Sequence, residues 1–170
     1  AVAEDASAPA NRTLEILDAA TGRVRSSTSL AAGRGFANFG MVFHAPDGRS
    51  LLVPYFRDLN ESAPFFLRRY DARRGTPLGK PVRVAPQEVD MRGQFMTPDG
   101  RLLVSTDRGV KALDAETLRV IRRYPVGSLA ALSPDGRTAV IGADDGRLGL
   151  LDLASGGVRT LSGPGSQPEA

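Results

Sequence analysis

Few residues in this chain could do chemistry. There is one histidine, His44, and neither cysteine nor tryptophan. A lone imidazole can serve as a base or as a single metal ligand. A metal site needs several convergent His, Cys or carboxylate ligands, and a nucleophile triad needs a partner that orients its base. His44 stands directly before a Pro-Asp-Gly tripeptide, where a strand-end residue at a sheet rim is the preferred reading. The aspartates recur at fixed positions: Asp47, Asp99 and Asp135 follow proline, Asp107, Asp144 and Asp145 precede glycine or Asp-Gly or lie two before it, and Asp18, Asp71, Asp114 and Asp152 close apolar runs. Repetition argues for a turn-forming role, since Asp side chains bond nearby backbone N–H groups and a catalytic carboxylate is seldom needed in every repeat. Gly33-Arg34-Gly35 and Gly146-Arg147-Leu148-Gly149 lack the Lys-Ser/Thr of a phosphate loop. No catalytic residue, metal ligand or cofactor is therefore expected.

Interaction chemistry has one candidate. Between 55 and 70 the chain concentrates its aromatics, Tyr55, Phe56, Phe65, Phe66 and Tyr70, together with Arg57, Arg68 and Arg69. Aromatic residues and arginine dominate interface hot spots. Tyr55, Phe56, Arg57, Phe65 and Arg68 are the candidate partner-binding residues. The competing reading places Phe65, Phe66 and Tyr70 inside a strand as packing residues; for Phe66 and Tyr70, which alternate onto one face, packing is preferred.

The elements that must position these residues follow from the turns. Pro-Asp-Gly-Arg occurs at 46–49, 98–101 and 134–137, each time between two apolar runs. Proline presets the backbone of a turn, and Asp and Gly tolerate the rest, so each copy predicts a hairpin. The structural turn residues are Asp47, Gly48, Asp99, Gly100, Asp135 and Gly136, with Asp145 and Gly146 in a second class. An apolar pair followed by Asp and a polar turn recurs in phase, as in Leu113-Asp114 and Leu151-Asp152. One unit thus reads strand, turn, strand, turn, strand ending in Asp, turn, strand: a four-stranded antiparallel meander, the blade of a β-propeller. The expected fold class is all-β, a propeller segment of about three and a half blades forming an incomplete ring. The expected layout is a disordered lead-in at 1–12, a propeller segment at 13–162 with a half blade at 13–29 and blades at 38–84, 92–123 and 128–161, and a disordered tail at 163–170.

The Ser133-Pro134-Asp135-Gly136-Arg137 turn, the Asp144-Asp145-Gly146-Arg147 turn and the Leu151-Asp152 strand end resemble a WD-repeat or related bacterial propeller over residues 13–161. The sequence departs from the WD pattern: Leu17, Tyr70, Leu113 and Leu151 hold the position before Asp where that pattern has tryptophan, and the Gly-His pair is missing. Phrases such as Leu113-Asp114-Ala115-Glu116-Thr117-Leu118-Arg119 resemble the C-terminal sensor regions of high-GC bacterial regulators, which follow a transcriptional-activator domain and a STAND-class NTPase. The resemblance implies a non-catalytic protein-interaction or sensing scaffold within a larger signalling or transcriptional regulator. The alternative is a fragment of a lactonase-like or quinoprotein-like propeller enzyme, which would need a central polar or metal site built by all blades.

Composition bounds the remaining classes. An apolar fraction of 41% supports a core, and 19 Gly with 12 Pro suit a chain of many turns. No apolar run is long enough for a membrane-spanning helix, and the N-terminal residues lack the apolar core of a signal peptide. The net charge is +3, and Lys80 and Lys111 are the only lysines. The arginines form no dense run, so direct nucleic-acid binding is not expected. Expected partners are a protein or other domains of the same polypeptide, with no membrane, and self-association through open propeller ends is a further expectation. A cytoplasmic location is expected, with a periplasmic or secreted one left open.

Overall fold

The computed structural model describes residues 2–4, 13–30, 41–56, 64–85, 93–106, 108–142 and 146–161, with 2–4, 55 and 56 described by backbone alone. Every regular element among them is a β-strand, and no helix is long and apolar enough to cross a membrane. The strands form consecutive antiparallel meanders, and the fold is that of a β-propeller segment. The chain divides into two compact units, Ala1–Val89 and Asp90–Ala170.

The first unit holds a partial blade and a full one. The partial blade comprises β1 (Val2–Glu4), β2 (Thr13–Leu17) and β3 (Val24–Ser29). Its β1 lies within the lead-in, whose other residues fall outside the described ones. The first full blade comprises β4 (Phe43–His44), β5 (Ser50–Phe56), β6 (Phe65–Asp71) and β7 (Val82–Ala85). Alternation sets their packing: Leu14 and Ile16 of β2 meet Leu51, Val53 and Tyr70 in one buried cluster.

The second unit holds two full blades. The second blade is β8 (Gln94–Met96), β9 (Arg101–Thr106), β10 (Gly109–Asp114) and β11 (Val120–Tyr124). The third is β12 (Ser128–Leu132), β13 (Thr138–Gly142), β14 (Leu148–Asp152) and β15 (Val158–Leu161). Leu103, Val110, Ala112 and Tyr124 of the second blade bury against Leu129, Ala139, Ile141, Leu151 and Leu153 of the third.

The strand-end aspartates build the same turn four times. One carboxylate oxygen accepts from the N–H groups of the turn: Asp18 from Ala20 and Thr21, Asp71 from Arg73 and Arg74, Asp114 from Thr117, Asp152 from Ala154 and Ser155. The carbonyl of the same Asp accepts from the residue four along: Gly22, Gly75, Leu118 and Gly156. That residue is left-handed in every copy, with φ of 68°, 66°, 58° and 82°. Glycine is the default there because a Cβ is resisted. Leu118 breaks the rule and is 5% exposed.

The Pro-Asp-Gly-Arg turns share their first half and diverge in the second. In all three, the Gly N–H donates to the carbonyl of the residue before Pro (Ala45, Thr97, Ser133). The ladder then closes at Ser50 and Thr138 in the outer copies, where Ala45 N donates to Ser50 O and Ser133 N to Thr138 O. In the second blade Thr97 N donates to Arg101 O, one residue earlier. The three copies are therefore not interchangeable. In the short form the Thr97 hydroxyl accepts from Arg101 N at 2.9 Å, and the Arg101 guanidinium folds back onto the Asp99 carboxylate at 2.9 and 2.8 Å. The Gly146 turn has φ 79°, while Asp145, with Asp107 and Asp144, lies outside the described residues.

Candidate functional site

The aromatic segment forms the long β5–β6 hairpin. The two strands pair without a break from Ser50↔Asp71 to Phe56↔Phe65. Tyr55 is thus placed opposite Phe66, and Phe56 opposite Phe65, at the far end of the ladder. The side chains of Tyr55 and Phe56, and all of Arg57, lie outside the described residues.

The other two candidates are engaged within the blade. Phe65 is fully buried and offers no exposed surface, so packing accounts for it. Arg68 is half-buried; its Nε donates to Gly79 O at 3.1 Å, and its guanidinium lies 5.7 Å from the Tyr70 ring centroid. Such a cation–ring contact holds the guanidinium against the sheet. Burial raises the Tyr70 hydroxyl pKa above its ordinary value, with Arg68 opposing the rise. Tyr70 itself is 4% exposed, and Phe66 is half-buried.

Among the described residues, the chemistry-bearing side chains do not converge. His44 is exposed, at the end of β4 beside the turn. Among the described residues, no three His, Asp or Glu side chains stand close enough to hold a metal ion. Asp18, Asp71, Asp99, Asp135 and Asp152 are held ionised by their own loops. Asp18 is lowered to about 2, first by the Thr21 N–H, then by the Thr21 hydroxyl and Arg25. Asp71 is lowered by the Arg74 N–H, Asp152 by the Ser155 N–H, Asp135 by the Ser133 hydroxyl, and Asp99 by Arg101. A carboxylate that accepts several N–H bonds is a poor general base, because those bonds favour the ionised form.

The sequence reading missed the devices that join blades. In the second unit, the Tyr124 hydroxyl donates to Leu153 O at 2.7 Å, buried between the blades. Arg122 donates to the carbonyls of Leu153 (3.3 Å), Ala154 and Ser155 (2.6 Å), around the Asp152 turn. Its guanidinium also stacks 5.1 Å from the Tyr124 ring centroid. Ser105 Oγ accepts from Leu129 N at 2.8 Å. The first unit repeats the plan in a smaller form: Ser26 Oγ of β3 donates to Arg74 O of the Asp71 turn at 2.8 Å. Ser26 lies opposite Ile16 and Arg122 opposite Ala112, each two residues before the strand-end Asp. An outer-strand donor of one blade thus grips the backbone of the next blade's Asp turn. The available signal was the register of the fourth strand relative to that Asp.

Neither a protein-family model nor a curated protein matches this sequence.

Proposed function

We propose that this chain is a non-catalytic protein-interaction or sensing scaffold, one segment of a larger bacterial signalling or transcriptional regulator. The observation that carries the reading is the use made of the recurrent carboxylates. Asp18, Asp71, Asp114 and Asp152 each cap their own turn, and blades are joined through backbone carbonyls. The repeat thus goes into rigidity, and a rigid scaffold presents its loops and faces for recognition. Exposed aliphatic residues on outer strands support this, with Val24 at 51%, Ile121 at 54% and Val158 at 47%. In this reading the end of the β5–β6 hairpin, with Tyr55, Phe56 and Arg57, is a docking element.

Two measurements test the proposal. The open reading frame around this segment should encode an NTPase and a DNA-binding domain, and deleting 13–161 from that polypeptide should change its rate of NTP hydrolysis. A frame that encodes a secretion leader and further His- and Glu-bearing blades overturns it.

A further inference from the structure

The third blade carries a copy of the blade-joining surface that no described residue covers. In the second blade, the face covered by the third comprises Leu103, Val110, Ala112 and Tyr124, each at most 2% exposed, with Arg122 at its edge. Counting back from the strand-end Asp and across the ladder gives the matching set in the third blade. Leu150 takes the place of Ala112, Leu148 that of Val110, Arg159 that of Arg122 and Leu161 that of Tyr124. These residues are not covered: Leu148 is 47% exposed, Arg159 is exposed, and Leu150 and Leu161 are half-buried. An open depression of about 400 Å³ lies there, with Leu150 in its lining and Thr138, Asp152, Ser155 and Arg159 around it.

The partial blade carries the opposite half of the same junction. Its Asp18 turn has the backbone form that Arg122 grips at Asp152. Residues 19–22 of that turn are all exposed, whereas Gly75 in the Asp71 turn and Leu153 in the Asp152 turn are buried. Glu15 and Leu17 lie on the sheet face opposite Leu14 and Ile16, the pair that packs on the first blade. By the same count Leu17 takes the place of Leu151, which packs in one cluster with Ala112, so an aliphatic side chain there matches Leu150.

We propose that these two surfaces bind each other between copies of the chain. Arg159 of one copy donates to the carbonyls of the Asp18 turn of a second copy, as Arg122 does within the chain. This rests on the reading of the chain as an interaction scaffold and names its partner as a second copy. The contact is heterologous, head to tail, and each copy keeps one donor face and one acceptor turn.

Complementation between two surface variants tests it. Arg159→Ala removes the donor and keeps the acceptor turn. Ala20→Trp blocks the exposed acceptor turn and keeps the donor. Sedimentation velocity over a concentration series should show the parent chain associating, and each variant alone associating at least about tenfold more weakly, the scale of losing a charged hydrogen-bond donor. An equimolar mixture of the two should recover the parent affinity and stop at a one-to-one dimer. A parent chain that stays monomeric, or a mixture that fails to recover, overturns the proposal. Recovery in the mixture also shows that both variants are folded. Failure here leaves the reading-frame and NTPase test untouched, so the two proposals fail separately.

Discussion

Replacing Leu118 by Ala and by Gly tests whether the strand-end turn demands a left-handed residue. Three of its four copies put glycine at this position, with φ of 68°, 66° and 82°, and the fourth puts Leu118 at 58°. Holding an L-residue there costs about 1–2 kcal/mol. Leu118 is 5% exposed, and burying a leucine side chain gains about 1.5–3 kcal/mol. Burial outweighs strain, which is why a leucine persists there. Leu118→Ala keeps the strain and loses the burial, at about 2–5 kcal/mol. Leu118→Gly loses the same burial and releases the strain, so it should be about 1 kcal/mol more stable than the alanine variant. At a position with negative φ the order is reversed, because glycine loses more backbone freedom than alanine on folding. Urea denaturation, with slopes checked for equality, measures both variants. An alanine variant as stable as the glycine one, or more so, refutes the assignment of strain at this turn.

Three further outcomes follow from the same geometry. Gly48→Ala and Gly136→Ala both place a Cβ at positive φ (64° and 67°), but at Gly136 that atom would lie 2.5 Å from Pro98 Cδ while at Gly48 it meets nothing within 4 Å; in urea melts Gly136→Ala should cost about 1–3 kcal/mol more, and equal costs count against the close approach of Gly136 to Pro98. Tyr124→Phe removes the buried hydroxyl from Leu153 O and should cost about 1–2 kcal/mol, read from the thermal midpoint, whereas an unchanged midpoint means that Arg122 alone satisfies that carbonyl. Asp18, Asp71, Asp99, Asp135 and Asp152 have folded pKa values below the ordinary 3.8, Asp18 at about 2, so the unfolded chain takes up protons first: their stabilisation is full above about pH 5, declines as pH falls through 3.8 and is lost below the folded values. Circular dichroism melts between pH 6 and 2 should show this decline, and Asp18→Asn should make it shallower; a flat profile refutes the capping role.

The fold was legible because its punctuation is local. Pro46-Asp47-Gly48 and Asp152 with Gly156 specify turns through their own backbone preferences and side-chain reach, and neither needs a distant partner. The blade boundaries follow from those turns and from the apolar alternation between them. Tertiary facts were less legible. Whether Phe65 faces a partner or the core depends on what covers its sheet, and residue type does not reveal that. The one-residue difference between the Thr97 and Ser133 hairpins was hidden because both carry the same Pro-Asp-Gly-Arg; the difference lies in which residue closes the ladder. Arg122 was unremarkable among many arginines until the register placed it opposite Ala112 and over the Asp152 turn.

The chemistry of the joints bears on how such a scaffold diversifies. At both described junctions the Asp turn is gripped through its backbone carbonyls, and the donors that reach it differ, a serine hydroxyl at 26 and a guanidinium at 122. A carbonyl is present whatever the side chain, so the grip on the Asp turn constrains the donor side and the conformation of the turn, and leaves the side chains of the turn free. That conformation is in turn held by the Asp and by the left-handed residue four positions later. Side chains that project elsewhere, such as those of Ala20, Ile121 and Thr160 on exposed backbone, carry no share of the joint. They can change without loosening the blades, and surface changes of that kind usually stay within about 0.5 kcal/mol. The residues that hold the joint and those that face outward are thus different positions of the same repeat, and this separation leaves the outward positions open to change while the blades stay joined.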